Sequence, residues 1–123
     1  MEGWVYVMEN RAMPGLVKLG QSTHIPEWRA RQLSSTSVPY PFTVAYRALV
    51  DDYRRVETAS KAVLGRCREG KEFYRCGPGQ AAEVIRQVAG AAMMYERSSA
   101  DAQKKTRADQ RGTSLKAKVS VAI

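Results

Sequence analysis

The sequence predicts a small α/β fold: a three-stranded antiparallel sheet flanked by helices, in the order β-β-α-β-α, then a short extended segment and a C-terminal helix. Three observations predict it. Side chains alternate through Trp4-Val5-Tyr6-Val7-Met8 and again through Val17-Lys18-Leu19-Gly20, the period of a strand, whose successive residues face opposite ways. Apolar residues recur at helical spacing through the fifties and sixties and again through the eighties, the period of amphipathic helices. A length of 123 residues suits one domain plus a tail, since a domain takes roughly 100–200 residues and can bury a modest core at that size.

The first two strands form a hairpin, because Met13-Pro14-Gly15 between them is a turn signal. With Val5, Val7, Val17 and Leu19 meeting one core, Tyr6 and Lys18 project together from the hairpin's other side, along with Trp4 and Met8. Residues 21–24 are a polar loop. Pro26 suits the first turn of a helix, where its missing N–H costs nothing. Ile25, Arg29 and Leu33 then recur every four residues on one inward stripe, with Arg31 turned outward. An arginine on a packing face needs an anionic partner, because an unpaired buried charge costs several kcal/mol; the alternatives are a bound anion and a structural ion pair.

Residues 34–41 are a loop, with Pro39 and Pro41 excluding helix, and residues 42–50 are a β-rich third strand reached by a crossover. Asp51 and Asp52 are N-cap candidates for the second helix and Gly65 its stop. Tyr53, Val56, Ser60, Val63 and Leu64 make its apolar stripe, and Glu57 falls inside that stripe. A carboxylate there has to be paired, hydrogen-bonded, protonated or bound to metal; an ion pair to Arg29 is one solution. Residues 71–76 are a short extended segment closed by Gly77-Pro78-Gly79, and residues 80–97 read as the last helix. The domain is assigned to residues 1–97. Residues 98–123, with six basic residues against two acidic ones and almost no apolar periodicity, read as a basic tail that cannot fold alone.

The formal charge is +8, the footprint of a polyanionic partner, nucleic acid before membrane. Cys67 and Cys76 stand outside any Cys-x-x-Cys spacing, so they read as free thiols in a reducing cytosol. No basic-then-apolar leader and no apolar run of membrane-spanning length is present in the sequence, which points to a soluble, cytoplasmic protein.

Trp4-Val5-Tyr6, Lys18-Leu19-Gly20, the helical Arg29 and the later Glu57 together resemble the pattern of the GIY-YIG nuclease superfamily. Pro14-Gly15-Leu16-Val17-Lys18 and Glu72-Phe73-Tyr74 resemble the small branch of it found in phage and bacterial open reading frames. The likeness spans roughly residues 3–88. It implies a metal-dependent endonuclease that hydrolyses DNA, double-stranded for preference, with one divalent ion, Mg²⁺ or Mn²⁺. Carried over residue by residue, Tyr6 helps to deprotonate the attacking water, with Lys18 beside it as the cation that eases its ionisation. Arg29 grips the scissile phosphate and Glu57 holds the metal. His24, Arg31 and Lys61 extend the nucleic-acid contact around Arg29.

This sequence departs from the pattern at Leu33, Lys61 and a missing late asparagine. A nucleic-acid-binding module that keeps the fold without turnover is the alternative, and a protein-interaction adaptor a more distant one. Glu72 reads as a structural or supporting residue. Ser34, Ser35 and Thr36 have no base at a recognisable spacing.

Overall fold

A computed structural model of the chain describes residues 1–34 and 38–99. The hairpin is β1 (Gly3–Glu9) paired antiparallel with β2 (Val17–Ser22), Tyr6 opposite Gly20 and Met8 opposite Lys18. Its turn is held by Met13 N–H donating to the Asn10 carbonyl at 2.8 Å, and by Gly15 at φ +85°, a conformation that glycine adopts without a Cβ clash. Buried Asn10 is satisfied from both ends: its side-chain oxygen accepts from Ala12 N–H at 2.9 Å and its amide donates to the Tyr40 carbonyl at 2.7 Å.

Helix α1 (Pro26–Leu33) crosses from β2 to β3 (Thr43–Val50), which lies antiparallel to β1 on the side away from β2. Then come α2 (Tyr53–Val63), β4 (Arg68–Gly70), β5 (Phe73–Tyr74), α3 (Pro78–Ala89) and β6 (Met93–Ser98). The strands form one six-stranded antiparallel sheet in the order β4-β5-β2-β1-β3-β6.

The expected three-stranded sheet is therefore corrected to six strands. Two of the additional strands are only three and two residues long, too short to show an alternation. The third, β6, lies where the sequence reads as the end of a long helix. Gly90 at φ +49° stops α3, as glycine commonly does just past a helix. The chain beyond it extends along β3, with Arg97 opposite Arg47 and Tyr95 opposite Leu49.

Helices α2 and α3 cover one face of the sheet and α1 the other. The first face holds the main core, in which Val5, Val7, Leu19, Ala48, Val50, Val56, Ala81 and Ile85 are fully buried. Each large aliphatic side chain buried there contributes roughly 1.5–3 kcal/mol. The second face holds a smaller core of Tyr6, Met8, Ala30 and Phe42. Helix α1 is short and begins at Pro26, so its inward residues are Pro26 and Ala30. Ile25, placed on the inward stripe by its spacing, is the exposed N-cap residue, whereas Arg29 is half-buried and Arg31 exposed.

On α2, Val63 is exposed rather than inward. Asp52 occupies the N-cap position in a left-handed conformation (φ +53°) with no side-chain capping bond. Among the described residues no helix is long and apolar enough to cross a membrane. The basic segment assigned as a tail lies, from residue 100 onward, outside the described residues.

Candidate functional site

Tyr6 is placed by a glycine. It lies opposite Gly20 across the hairpin, and its ring covers that residue so closely that a Cβ built on Gly20 would stand 2.5 Å from the Tyr6 hydroxyl. A side chain at position 20 would push the tyrosine out. The ring is almost wholly buried, and Arg29 of α1, whose guanidinium donates to Gln32 Oε1 at 3.2 Å, lies near enough to act on its hydroxyl.

Burial pushes the Tyr6 pKa up. The Arg29 hydrogen bond and charge pull it back, and the negative charges of Glu72 and Glu57 add to the rise, leaving it above the ordinary tyrosine value. Tyr6 therefore keeps its proton at neutral pH.

Lys18 is one residue pair along the same face, opposite Met8. Its buried ammonium forms an ion pair with Glu72 and lies 5.7 Å from the centre of the Phe73 ring. Glu72 is locked to the hairpin by its backbone, since Leu19 N–H donates to the Glu72 carbonyl at 3.0 Å.

Burial opposes ionisation of Glu72, but the Lys18 hydrogen bond and charge, with Lys61 and Arg29 behind it, hold its carboxyl below the usual value. Lys61 completes the chain of charges: its ammonium is 2.9 Å from Glu57 and 3.8 Å from Glu72. Burial works against the Lys61 charge, and the Glu57 hydrogen bond and charge together with the Glu72 charge outweigh it, so its pKa is raised.

The four residues singled out for chemistry thus belong to one electrostatic cluster, reached from β1 (Tyr6), β2 (Lys18), α1 (Arg29) and α2 (Glu57). One expected pairing is corrected, and one alternative is replaced. The cation that faces Tyr6 is Arg29, because Lys18 sits across from Met8 and is neutralised by Glu72. The partner of Glu57 is Lys61, one helical turn on, where side chains four apart meet, rather than Arg29.

Glu57 has 13 % of its side chain exposed, which places a hard oxygen donor at the cluster. Among the described residues no group of three or more His, Cys, Asp or Glu could hold a metal. The donors present suit a divalent ion that takes one carboxylate and fills its shell with phosphate oxygens and waters, a normal arrangement for Mg²⁺.

Of the outer residues, His24 is exposed and stacks on Trp28, ring centres 4.3 Å apart, beside the α1 N-terminus. Two features go beyond the sequence reading. Glu72, read there as a structural or supporting residue, joins Lys18 to Lys61, partners that its place before Phe73-Tyr74 does not reveal. Trp4 is half-buried and forms an edge-to-face contact with Tyr95, ring centres 6.1 Å apart, which no reading of residues 80–97 as helix could bring together.

The fold and cluster define an α/β protein with a six-stranded antiparallel sheet and a charged cluster around a buried tyrosine. The family model for the T5orf172 domain matches residues 3–89, and the chain belongs to that family. This corrects the resemblance to the GIY-YIG superfamily, because the matching family is a different one. The physical weakness of that resemblance is the brevity of its triplets: the Tyr6 and Gly20 they share is also what packing one tyrosine over one glycine in a hairpin requires. No curated protein and no solved structure matches the chain.

Proposed function

We propose that this chain is a metal-dependent endonuclease that hydrolyses phosphodiester bonds of DNA at the Tyr6 cluster, using a single divalent ion. The observation that carries the proposal is the convergence of a proton-bearing tyrosine, an arginine beside it, two lysines and a part-buried carboxylate in one charged cluster. Phosphoryl chemistry asks for positive charge where the transition-state oxygens develop theirs, held in place beforehand. Arg29 offers a planar fork suited to two phosphate oxygens. Lys18 and Lys61 are paired with Glu72 and Glu57, so the cluster's excess of positive charge is that of Arg29. Tyr6, protonated at neutral pH, orients the attacking water through its hydroxyl rather than acting as a preformed phenolate.

Glu57 would hold Mg²⁺ or Mn²⁺, which when bound lowers the pKa of a coordinated water and neutralises developing charge. His24 and Arg31, both exposed near Arg29, would extend the contact along the DNA backbone, and the net charge of +8 favours such a polyanion. A cytoplasmic location goes with this reading.

The alternative is a DNA-binding module without turnover. It draws on the internal pairing of Glu57 with Lys61, which leaves the carboxylate already neutralised. Nicking of supercoiled plasmid with Mg²⁺, with EDTA, and by Glu57→Ala separates the two. The proposal expects Mg²⁺-dependent nicking that Glu57→Ala abolishes while plasmid binding persists. Binding with no nicking in the unaltered protein would leave the module, and nicking unchanged in the variant would remove the metal assignment.

A further inference from the structure

The face of the sheet that carries Tyr6 continues past the pocket onto β3 and β6. Residues directly opposite one another in an antiparallel sheet share a face, so the pairings define its rows. One row runs Gly20, Tyr6, Arg47, Arg97, and the next Ser22, Trp4, Leu49, Tyr95. The two rows are two residues apart along each strand, about 7 Å at the usual rise.

Helix α1 covers this face over Tyr6 and Met8, but Tyr95 is 44 % exposed, Arg97 is exposed and Trp4 is half-buried. The Arg47 guanidinium lies 5.5 Å from the centre of the Trp4 ring and is paired with Glu27 of α1. Arg47, Arg97, Val44, Glu27, Ser98 and Ser99 line a cavity of about 300 Å³ on the side of the arginine row away from the aromatic pair. The carboxylate of β6 faces away: Glu96 is on the opposite side of the sheet, where it accepts from the Tyr46 hydroxyl at 2.7 Å and from Arg86 at 2.9 Å.

We propose that Trp4 and Tyr95, with Arg47 and Arg97 in the neighbouring row, form a stacking platform for an unpaired stretch of nucleic acid. The juxtaposition has the two properties single strands need, aromatic rings for bases and fixed cations for the backbone. Stacking requires a base free of its partner, so the platform selects single-stranded or frayed substrate over intact duplex. The proposal rests on the pocket reading in one respect only, that the same strand presents its phosphate to Arg29 and Tyr6, one row away.

The test is fluorescence anisotropy of a labelled oligothymidylate and of a duplex of equal length with the full chain, unaltered and as Tyr95→Ala and Tyr95→Phe. Tyr95 lies on an edge strand and is exposed, so its truncation leaves the core intact. The single strand is expected to bind more tightly than the duplex, Tyr95→Ala to weaken it about 5- to 100-fold, and Tyr95→Phe to restore it.

Equal binding of both probes, or Tyr95→Ala binding like the unaltered protein, would overturn the platform, as would a Phe variant as weak as the Ala one. Sedimentation of the same variants covers the competing occupant: a dimer that Tyr95→Ala dissociates, with oligothymidylate binding unaltered, would assign the face to a second copy of the chain. Loss of plasmid nicking in the unaltered protein would defeat the catalytic reading and leave this binding result standing.

Discussion

The two faces of the sheet are built to different rules. Under α2 and α3 the sheet presents Val5, Val7, Val17 and Leu19 against Val56, Ala81 and Ile85, an apolar contact whose only task is burial. Under α1 the alternate residues of the same strands present Tyr6 and Lys18, and the cover is a helix of eight residues that brings an arginine. The first face accounts for stability. The second accepts charges that need partners, and that requirement gathers Arg29, Glu72, Lys61 and Glu57 around two strand residues.

The contrast can be broken by substitution. The largest effect is expected in catalysis from the charged side: Glu57→Ala should reduce Mg²⁺-dependent plasmid nicking on the order of 10²–10⁴-fold while moving the melting temperature little. A variant that nicks at the original rate would detach the carboxylate from function. On the apolar side Ile85→Ala, at a fully buried position, should cost about 2–5 kcal/mol in urea unfolding and leave the nicking rate per folded molecule unchanged.

Two glycines sharpen the comparison, because each faces a tyrosine ring. A Cβ on Gly20 would strike Tyr6, and one on Gly3 would strike the ring of Tyr53 on α2. Both Gly20→Ala and Gly3→Ala should cost about 1–3 kcal/mol of stability through overpacking. Only Gly20→Ala should also depress nicking, since it alone displaces a pocket residue. Equal kinetic losses in both variants would mean that Tyr6 position does not matter.

The smallest effect is electrostatic. Glu72 has a folded-state pKa below its unfolded value, so its contribution to stability is present above an unfolded carboxyl pKa of about 4.3 and is lost as pH falls through the folded value. Thermal melts from neutral to acid pH should therefore show a steeper loss in the unaltered protein than in Lys18→Met, which lacks the principal partner. Parallel acid limbs would show that the Lys18–Glu72 pair adds nothing to folding.

Much of the second face was legible in the sequence, and the reason is local. The alternation in residues 4–8 and 17–20 fixes which side chains share a face, so Tyr6 and Lys18 together follow from strand geometry. Glu57 stands out because a carboxylate interrupts an apolar helical stripe. What the sequence hid depends on distant pairing. The strands β4 and β5 are defined by register against β2, and β6 by register against β3, information that no single segment carries. Residues 91–97 contain Ala, Met, Glu and Arg, all compatible with helix, and only Gly90 marks the break. The choice of Arg29 over Lys18 as the cation at Tyr6 turns on two residues of register, since Tyr6 faces Gly20 and Lys18 faces Met8. Glu72 was legible as a supporting residue, but its partners Lys18 and Lys61 depend on the pairing of β5 with β2.

The most direct test of a single working pocket is a double-variant cycle on plasmid nicking with Tyr6→Phe, Glu57→Ala and the two combined. Side chains that act as a unit are strongly non-additive in rate, so the combined variant should nick no more slowly than the worse of the two single ones. Losses that multiply in the combined variant would show the tyrosine and the carboxylate working independently, and would contradict one shared site.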